Sequence, residues 1–258
     1  MITIANLQKS FGSLDVLEGI DLTFPKGKAT AILGPNASGK TTLLKCILGL
    51  VRPDDGEITV KGEPIGQSDR YRRWIGYMPQ IAQFPENLTA QQVLTMIIDL
   101  REEEPTRKDE LIETLRLSTE MEKQLKTLSG GTRQKVSAVI ALMFDPDIII
   151  LDEPTAGLDP LSSSVLKDYV QEEKKRGKTL LLTSHIMSEI EEMADRVAYL
   201  LNGQIQYDGT LDELTEKAGE MRLERAVARM MENGTSKDSS VTSSGASEQP
   251  TSAPEEKV

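Results

Sequence analysis

Cysteine and histidine each occur once in the 258 residues. A single cysteine excludes an internal disulfide framework, and Cys46, on the helix expected after a glycine-rich loop, reads as small apolar filler. One thiol and one imidazole without ligand spacing give no basis for a soft-metal centre, so no metal is expected as a direct substrate of this chain. Long apolar runs are missing as well. No uninterrupted stretch approaches 18 residues, which leaves no membrane span. The opening Met1-Ile-Thr-Ile-Ala-Asn6 lacks the basic flank and apolar core of a secretory signal, so a cytoplasmic protein is expected. Positive charge is also in deficit: 30 Lys and Arg stand against 41 Asp and Glu, a net charge of −11. That balance disfavours nucleic acid as the main partner.

What is present is concentrated in three separated segments. Gly34-Pro35-Asn36-Ala37-Ser38-Gly39-Lys40-Thr41-Thr42 has glycines that let the backbone bend around an anion. The small apolar run Thr30–Leu33 precedes it as a strand, and a helix over about Thr41–Leu48 follows, its free N–H groups adding to the field on a phosphate. Lys40 is placed for the β/γ oxygens of a nucleotide, and Thr41 for Mg²⁺. The aliphatic run Ile148–Leu151 has the pattern of a strand buried on both faces. It delivers Asp152 and Glu153 at the strand end where ligands of open α/β sheets bind. Asp152 is expected to orient Mg²⁺ and Glu153 to polarise the attacking water. The third segment, Leu128-Ser129-Gly130-Gly131, is a turn opening a helix, where Ser129 caps and free N–H groups face an anion.

With Gln80, Ala156-Gly157-Leu158-Asp159 and His185, these segments form an ordered motif set that resembles the ATP-binding-cassette (ABC) ATPases from about Thr3 to Asp212. The resemblance implies an α/β P-loop NTPase cassette: a RecA-like core, an N-terminal antiparallel β subdomain and an inserted helical subdomain. It implies ATP and Mg²⁺ as ligands. Phe11 corresponds to the aromatic that stacks on adenine, and Gln80 to the glutamine that senses Mg²⁺ and water. His185, which follows the apolar strand Thr179–Thr183, corresponds to the switch histidine on the γ-phosphate. Ser129-Gly130-Gly131 corresponds to the turn that contacts ATP bound to a second copy, and Asp159 to a residue crossing that dimer interface. Thr132 departs from the family pattern, in which a longer glutamine follows the two glycines.

Along the chain, Ile2–Leu7, Leu17–Phe24, Lys28–Leu33, Ile58–Val60 and Trp74–Tyr77 read as strands between Pro/Gly/Asp turns. From Thr89 the period becomes helical, with Val93, Leu94, Ile97 and Ile98, then Leu111, Leu115 and Leu117. A helix over Gly131–Met143 leads to the Ile148 strand. Helix Leu161–Arg176, strand Thr179–Thr183, helix Met187–Met193 and strand Val197–Leu201 follow. Asn202-Gly203 turns that last strand into Gln204–Asp208. Thr210 and Glu213 have capping-box spacing. The expected organisation is an ATPase domain over 1–215, with its helical subdomain at about 88–143, a C-terminal helix over 216–231 and a disordered tail over 232–258.

A lone cassette without a span implies, by the resemblance, the ATPase subunit of an exporter-type transporter. It would dimerise and drive separate membrane-spanning permease subunits from the cytoplasmic face of the membrane. Ile81-Ala-Gln-Phe84-Pro85 lies where the family receives a helix of the membrane subunit. Tyr77-Met-Pro-Gln80-Ile-Ala-Gln-Phe-Pro-Glu-Asn-Leu88 and Leu128–Lys135 look like cassettes of the nitrous oxide reductase maturation complex, which assembles a copper–sulfur centre. The alternative is a soluble ABC ATPase acting as an assembly factor or scaffold, of the iron–sulfur-assembly type. Both share every nucleotide motif.

Overall fold

A computed structural model describes residues 1–66, 68–220 and 222–229. Three strands open the chain: β1 (Ile2–Phe11), β2 (Leu14–Phe24) and β3 (Ala29–Leu33). β1 and β2 pair antiparallel, and β4 (Asp55–Val60) pairs on the other side of β1, with the short β5 (Glu63–Pro64) completing a sheet ordered β2-β1-β4-β5. Alternation puts Ile2, Ile4, Ile58 and Val60 on the buried side. There they join Leu43, Leu44 and Ile47 of helix α1 (Lys40–Ile47) in one core.

The second sheet is built from strands that need no alternation because both faces are covered. It contains β6 (Ile75–Met78), β7 (Ile148–Asp152), β8 (Thr179–Thr183), β9 (Arg196–Leu201) and β10 (Gln204–Thr210), in the order β10-β9-β3-β8-β7-β6. Every residue of β3, β7 and β8 is buried. All pairings are parallel except β9–β10, which turns through Asn202 (φ 47°) and Gly203 (φ 70°). Two successive left-handed residues are what a two-residue hairpin of matching twist requires. Gly203 also anchors the two sheets, its carbonyl accepting from Glu18 N at 2.9 Å.

Between β6 and β7 the chain inserts α2 (Ala90–Arg101), α3 (Lys108–Thr114) and α4 (Gly130–Leu142). Thr89 and Gln92 form a reciprocal capping box that starts α2. Charge ties this insert to α5 (Pro160–Lys175): Arg107 donates to Tyr169 Oη at 2.7 Å and to Glu173, which is 1% exposed and also accepts from Arg176 at 2.8 Å. Helix α6 (Met187–Met193) separates β8 from β9.

The chain divides into two units, Met1–Leu214 and Thr215 onward, with α7 (Leu211–Ala218) beginning in the first. The Thr210–Glu213 capping box is present, with Glu213 N donating to Thr210 Oγ1 at 3.2 Å and Thr210 N to Glu213 Oε2 at 2.8 Å. In the second unit, residues 223–229 are helical, but the single helix expected over 216–231 is not formed: residues 216–218 end α7, and the chain leaves the helix at Gly219 (φ 66°) and Glu220. The expected disordered tail, 232–258, lies outside the described residues. Among the described residues no helix is long and apolar enough to cross a membrane.

Candidate active site

Because β3, β6, β7 and β8 run parallel, their C-terminal ends open on one edge of the sheet, bringing Gly34, Gln80, Asp152 and Thr183 to the same place. The loop after β3 is shaped by its glycines. A Cβ at Gly34 would fall 2.1 Å from Leu200 O and 2.6 Å from Ser38 Oγ; one at Gly39 would fall 2.8 Å from Val16 O. Ala37 (φ 64°) and Gly39 (φ 104°) are left-handed, curling the loop back on itself. Helix α1 then starts at Lys40 with no side-chain cap, so its first N–H groups remain available to an anion. Asn36, Ala37, Gly39, Lys40, Thr41 and Thr42 line a cleft of about 300 Å³ with Gln80, Asp152, Glu153 and Thr183. The Lys40 ammonium donates to the carbonyls of Gly34 and Pro35, both at 2.8 Å. Burial lowers its pKa, against the pull of Glu153 and Asp152. Ser38 Oγ is buried without a hydrogen-bond partner among the described residues.

The two carboxylates after β7 differ in setting. Asp152 is 8% exposed; burial raises its pKa, opposed by a hydrogen bond from Thr183 Oγ1. Glu153 is left-handed (φ 48°), a conformation costing a non-glycine residue about 1–3 kcal/mol. Its amide is fixed by Thr183, through Oγ1 at 3.0 Å and the carbonyl at 3.1 Å. This bend turns the Glu153 side chain toward His185, whose Nδ1 lies 3.1 Å from Glu153 Oε2 while most of the imidazole is exposed. The hydroxyl of Thr41, the amide of Gln80 and the Asp152 carboxylate are all oxygen donors lining one cleft. No group of three or more His, Cys, Asp or Glu among the described residues could hold a metal by itself. Such a set fits Mg²⁺, which keeps few protein ligands and shares the rest with phosphate and water.

The remaining predicted residues lie elsewhere. Ser129 caps α4, accepting from Thr132 N at 3.1 Å, and its hydroxyl also meets Thr132 Oγ1 at 2.9 Å. Thr132, the departure from the family pattern, therefore holds the cap rather than extending outward. Ser129 and Gly130 are exposed, and Gly131 packs so tightly on the loop after Glu153 that a Cβ would fall 2.7 Å from Gly157 O. None of the three lines the cleft of its own chain. Gln134 Nε2 reaches Pro79 O at 3.3 Å, linking this helix to the residue before Gln80. Asp159 caps α5 through Ser162 N at 2.9 Å and pairs with Lys135 at 3.5 Å; the Ser162 hydroxyl, chiefly, holds its pKa down at about 2. Phe11, half exposed at the end of β1, has Lys9 Nζ 5.2 Å from its ring and is not among the cleft residues. Leu14 and Val16 of β2 line the cleft instead, and Thr183 holds the Asp152 carboxylate and the Glu153 backbone amide. These three were not singled out by sequence. Only Thr183 left a trace, as the polar end of an otherwise aliphatic strand.

Residues 17–156 match the family model described as ABC transporter. The chain belongs to the ABC transporter family. It is 35% identical over 222 residues to the Nod factor export ATP-binding protein I of Rhizobium sp. (strain N33), covering 84% of this chain and 73% of that protein. It is likewise 35% identical over 222 residues to the lipopolysaccharide export system ATP-binding protein LptB of Haemophilus influenzae, covering 83% and 92%. A solved ATP-binding subunit of an ABC transporter superposes with a TM-score of 0.84 at 28% identity, over 90% of this chain and 99% of the other. The cassette is thus an ABC-type ATPase with the α/β P-loop fold expected from its motifs.

Proposed function

We propose that this ABC ATPase works as a pair, two copies enclosing two ATP molecules, and drives separate membrane-spanning permease subunits from the cytoplasmic face of the membrane. The observation that carries the reading is a division of labour within one chain. The cleft holds Lys40, Asp152, Glu153 and Gln80, while the Ser129-Gly130-Gly131 turn, exposed at Ser129 and Gly130, does not line it. A second copy, related by a two-fold axis, would supply the missing anion-binding turn to each site.

Within each site, Lys40 and the first amides of α1 hold the β- and γ-phosphates. Thr41, Gln80 and Asp152 would hold Mg²⁺, whose charge would offset that of the phosphates. Glu153 accepts a hydrogen bond from the attacking water, and His185 contacts the γ-phosphate beside it. Phe11 forms the base platform, and Asp159 lies at the dimer interface. Export is supported by the names of the two relatives above, both ATP-binding proteins of export systems. The narrower reading, maturation of the nitrous oxide reductase copper–sulfur centre, rests on the Tyr77–Leu88 and Leu128–Lys135 resemblance.

Glu153→Gln tests the ATPase reading. It keeps the phosphate contacts and removes the charge that orients water, so turnover should fall by about 10²–10⁴-fold. ATP affinity should hold, and light scattering should show an ATP-dependent dimer. Near-normal turnover would refute the role of Glu153. Co-purification with a spanning subunit from detergent extracts separates the transporter from a soluble assembly factor. A normal reductase spectrum after deletion of the gene would remove the narrower reading alone.

A further inference from the structure

Glu189, in the first turn of α6, is a carboxylate that the functional reading above leaves unused. It is 8% exposed, and no cation lies within ion-pair distance of it among the described residues. Burying a polar group is costly unless it is hydrogen-bonded. What Glu189 does have is two hydroxyls on one oxygen. Thr155 Oγ1 donates to Oε2 at 2.6 Å, and Ser184 Oγ donates to the same atom at 3.3 Å.

Those hydroxyls belong to the two loops that carry the reactive pair. Thr155 lies two residues after Glu153, in a turn closed by Ala156 N to Glu153 O at 3.1 Å and Leu158 N to Thr155 O at 3.1 Å. That turn ends at Asp159, the cap of α5. Ser184 immediately precedes His185, and its Oγ accepts from Ile186 N at 3.1 Å, fixing the loop on both sides of the imidazole. A single buried atom therefore spans from the Glu153 loop to the His185 loop, behind the 3.1 Å contact between Glu153 and His185. An apolar residue would fill the same space without burying a polar group, but it would not couple the loops.

We infer that Glu189 is a positioning residue for hydrolysis: through Thr155 and Ser184 it holds Glu153 and His185 in mutual register. The inference rests on the proposed roles of that pair. Small displacements of reacting groups cost rate rather than ground-state affinity, so its loss should appear in kcat.

The test uses the full chain, with steady-state ATPase kinetics, ATP binding by calorimetry and thermal melts. Glu189→Ala should lower kcat by about 10–100-fold while KM and ATP affinity stay within about twofold. Glu189→Gln keeps an acceptor oxygen for both hydroxyls and should recover kcat to within about threefold of the parent. Thr155→Val should reproduce most of the loss, and adding it to Glu189→Ala should cost little more. Parental kcat in Glu189→Ala, losses that add, or a rise in KM in place of the fall in kcat would each overturn the clamp. Should Glu189→Ala melt early, Thr155→Val and Glu189→Gln decide the matter. Glu153→Gln runs alongside: if it turns over normally, the pair itself is misassigned, whereas a dead Glu153→Gln beside a normal Glu189→Ala sinks only the clamp.

Discussion

Lys40 and Asp152 are both held in states that phosphate and a cation would relieve. The Lys40 ammonium is partly desolvated between two carbonyls of its own loop, with its pKa lowered by burial. A triphosphate offers it charged oxygens in place of neutral ones. Lys40→Ala should therefore weaken ATP binding by about 1.5–3 kcal/mol, roughly 10–150-fold, by calorimetry. Asp152 titrates in the opposite sense. Its folded pKa is raised, chiefly by burial, so the folded state holds the proton more tightly than the unfolded chain. Its ionised form thus weakens the nucleotide-free fold above the folded pKa, and that penalty fades as pH falls through it. Asp152→Asn keeps an acceptor for Thr183 and should raise Tm at neutral pH, by about 2–4 °C for each kcal/mol relieved. The gain over the parent should shrink as the pH is lowered into the carboxylate range. Mg²⁺-dependent ATP affinity should fall in the same variant, the usual conflict between stability and a functional charge.

At the scale of elements, legibility followed periodicity. Thr179–Thr183 and Met187–Met193 coincide with β8 and α6, because a leucine run bounded by β-branched threonines and a short amphipathic helix leave little ambiguity. β1 was legible only to Leu7 yet runs to Phe11; register shifts after Ile4, Leu7 and Lys9, with Asn6 at φ 48°, break its alternation while its pairing continues. Trp74 read as strand but ends a 3₁₀ turn, Arg70–Trp74. The site divides similarly. Gly34–Thr42, Asp152 and Glu153 are consecutive or follow a recognisable strand, whereas Leu14, Val16 and Glu189 are ordinary residue types with no spacing rule. The fold alone brings them to the cleft or behind it. Gly76 is a further case: a glycine inside a strand often marks a close backbone approach. A Cβ there would fall 2.0 Å from Ala141 O of α4 and 2.7 Å from Pro146. Gly76→Ala should push α4 off β6 and cost about 1–3 kcal/mol, a Tm fall of about 2–4 °C per kcal/mol in thermal melts.

At the scale of the whole molecule, the question is which copy's Ser129 serves which Lys40. Ser129→Asp is a suitable lesion because aspartate caps helices as well as serine does, so α4 should survive while the new carboxylate repels phosphate. Lys40→Ala disables the other half of the site. Two differently tagged chains, purified as heterodimers, separate the arrangements. When one chain carries Lys40→Ala and the other Ser129→Asp, a site shared between copies confines both lesions to one site and leaves the other intact. About half of the parental ATPase activity should then remain if the two sites act independently. When a single chain carries both lesions and its partner neither, each shared site has one lesion and turnover should be nearly abolished. Sites contained within single chains would give the reverse: the doubly damaged chain would spare its partner, and the split lesions would disable both. The two heterodimers hold the same four halves, so composition and overall charge cannot account for a difference between them. A higher rate in the doubly damaged pairing would remove the shared site, and with it the proposed pairing of two copies.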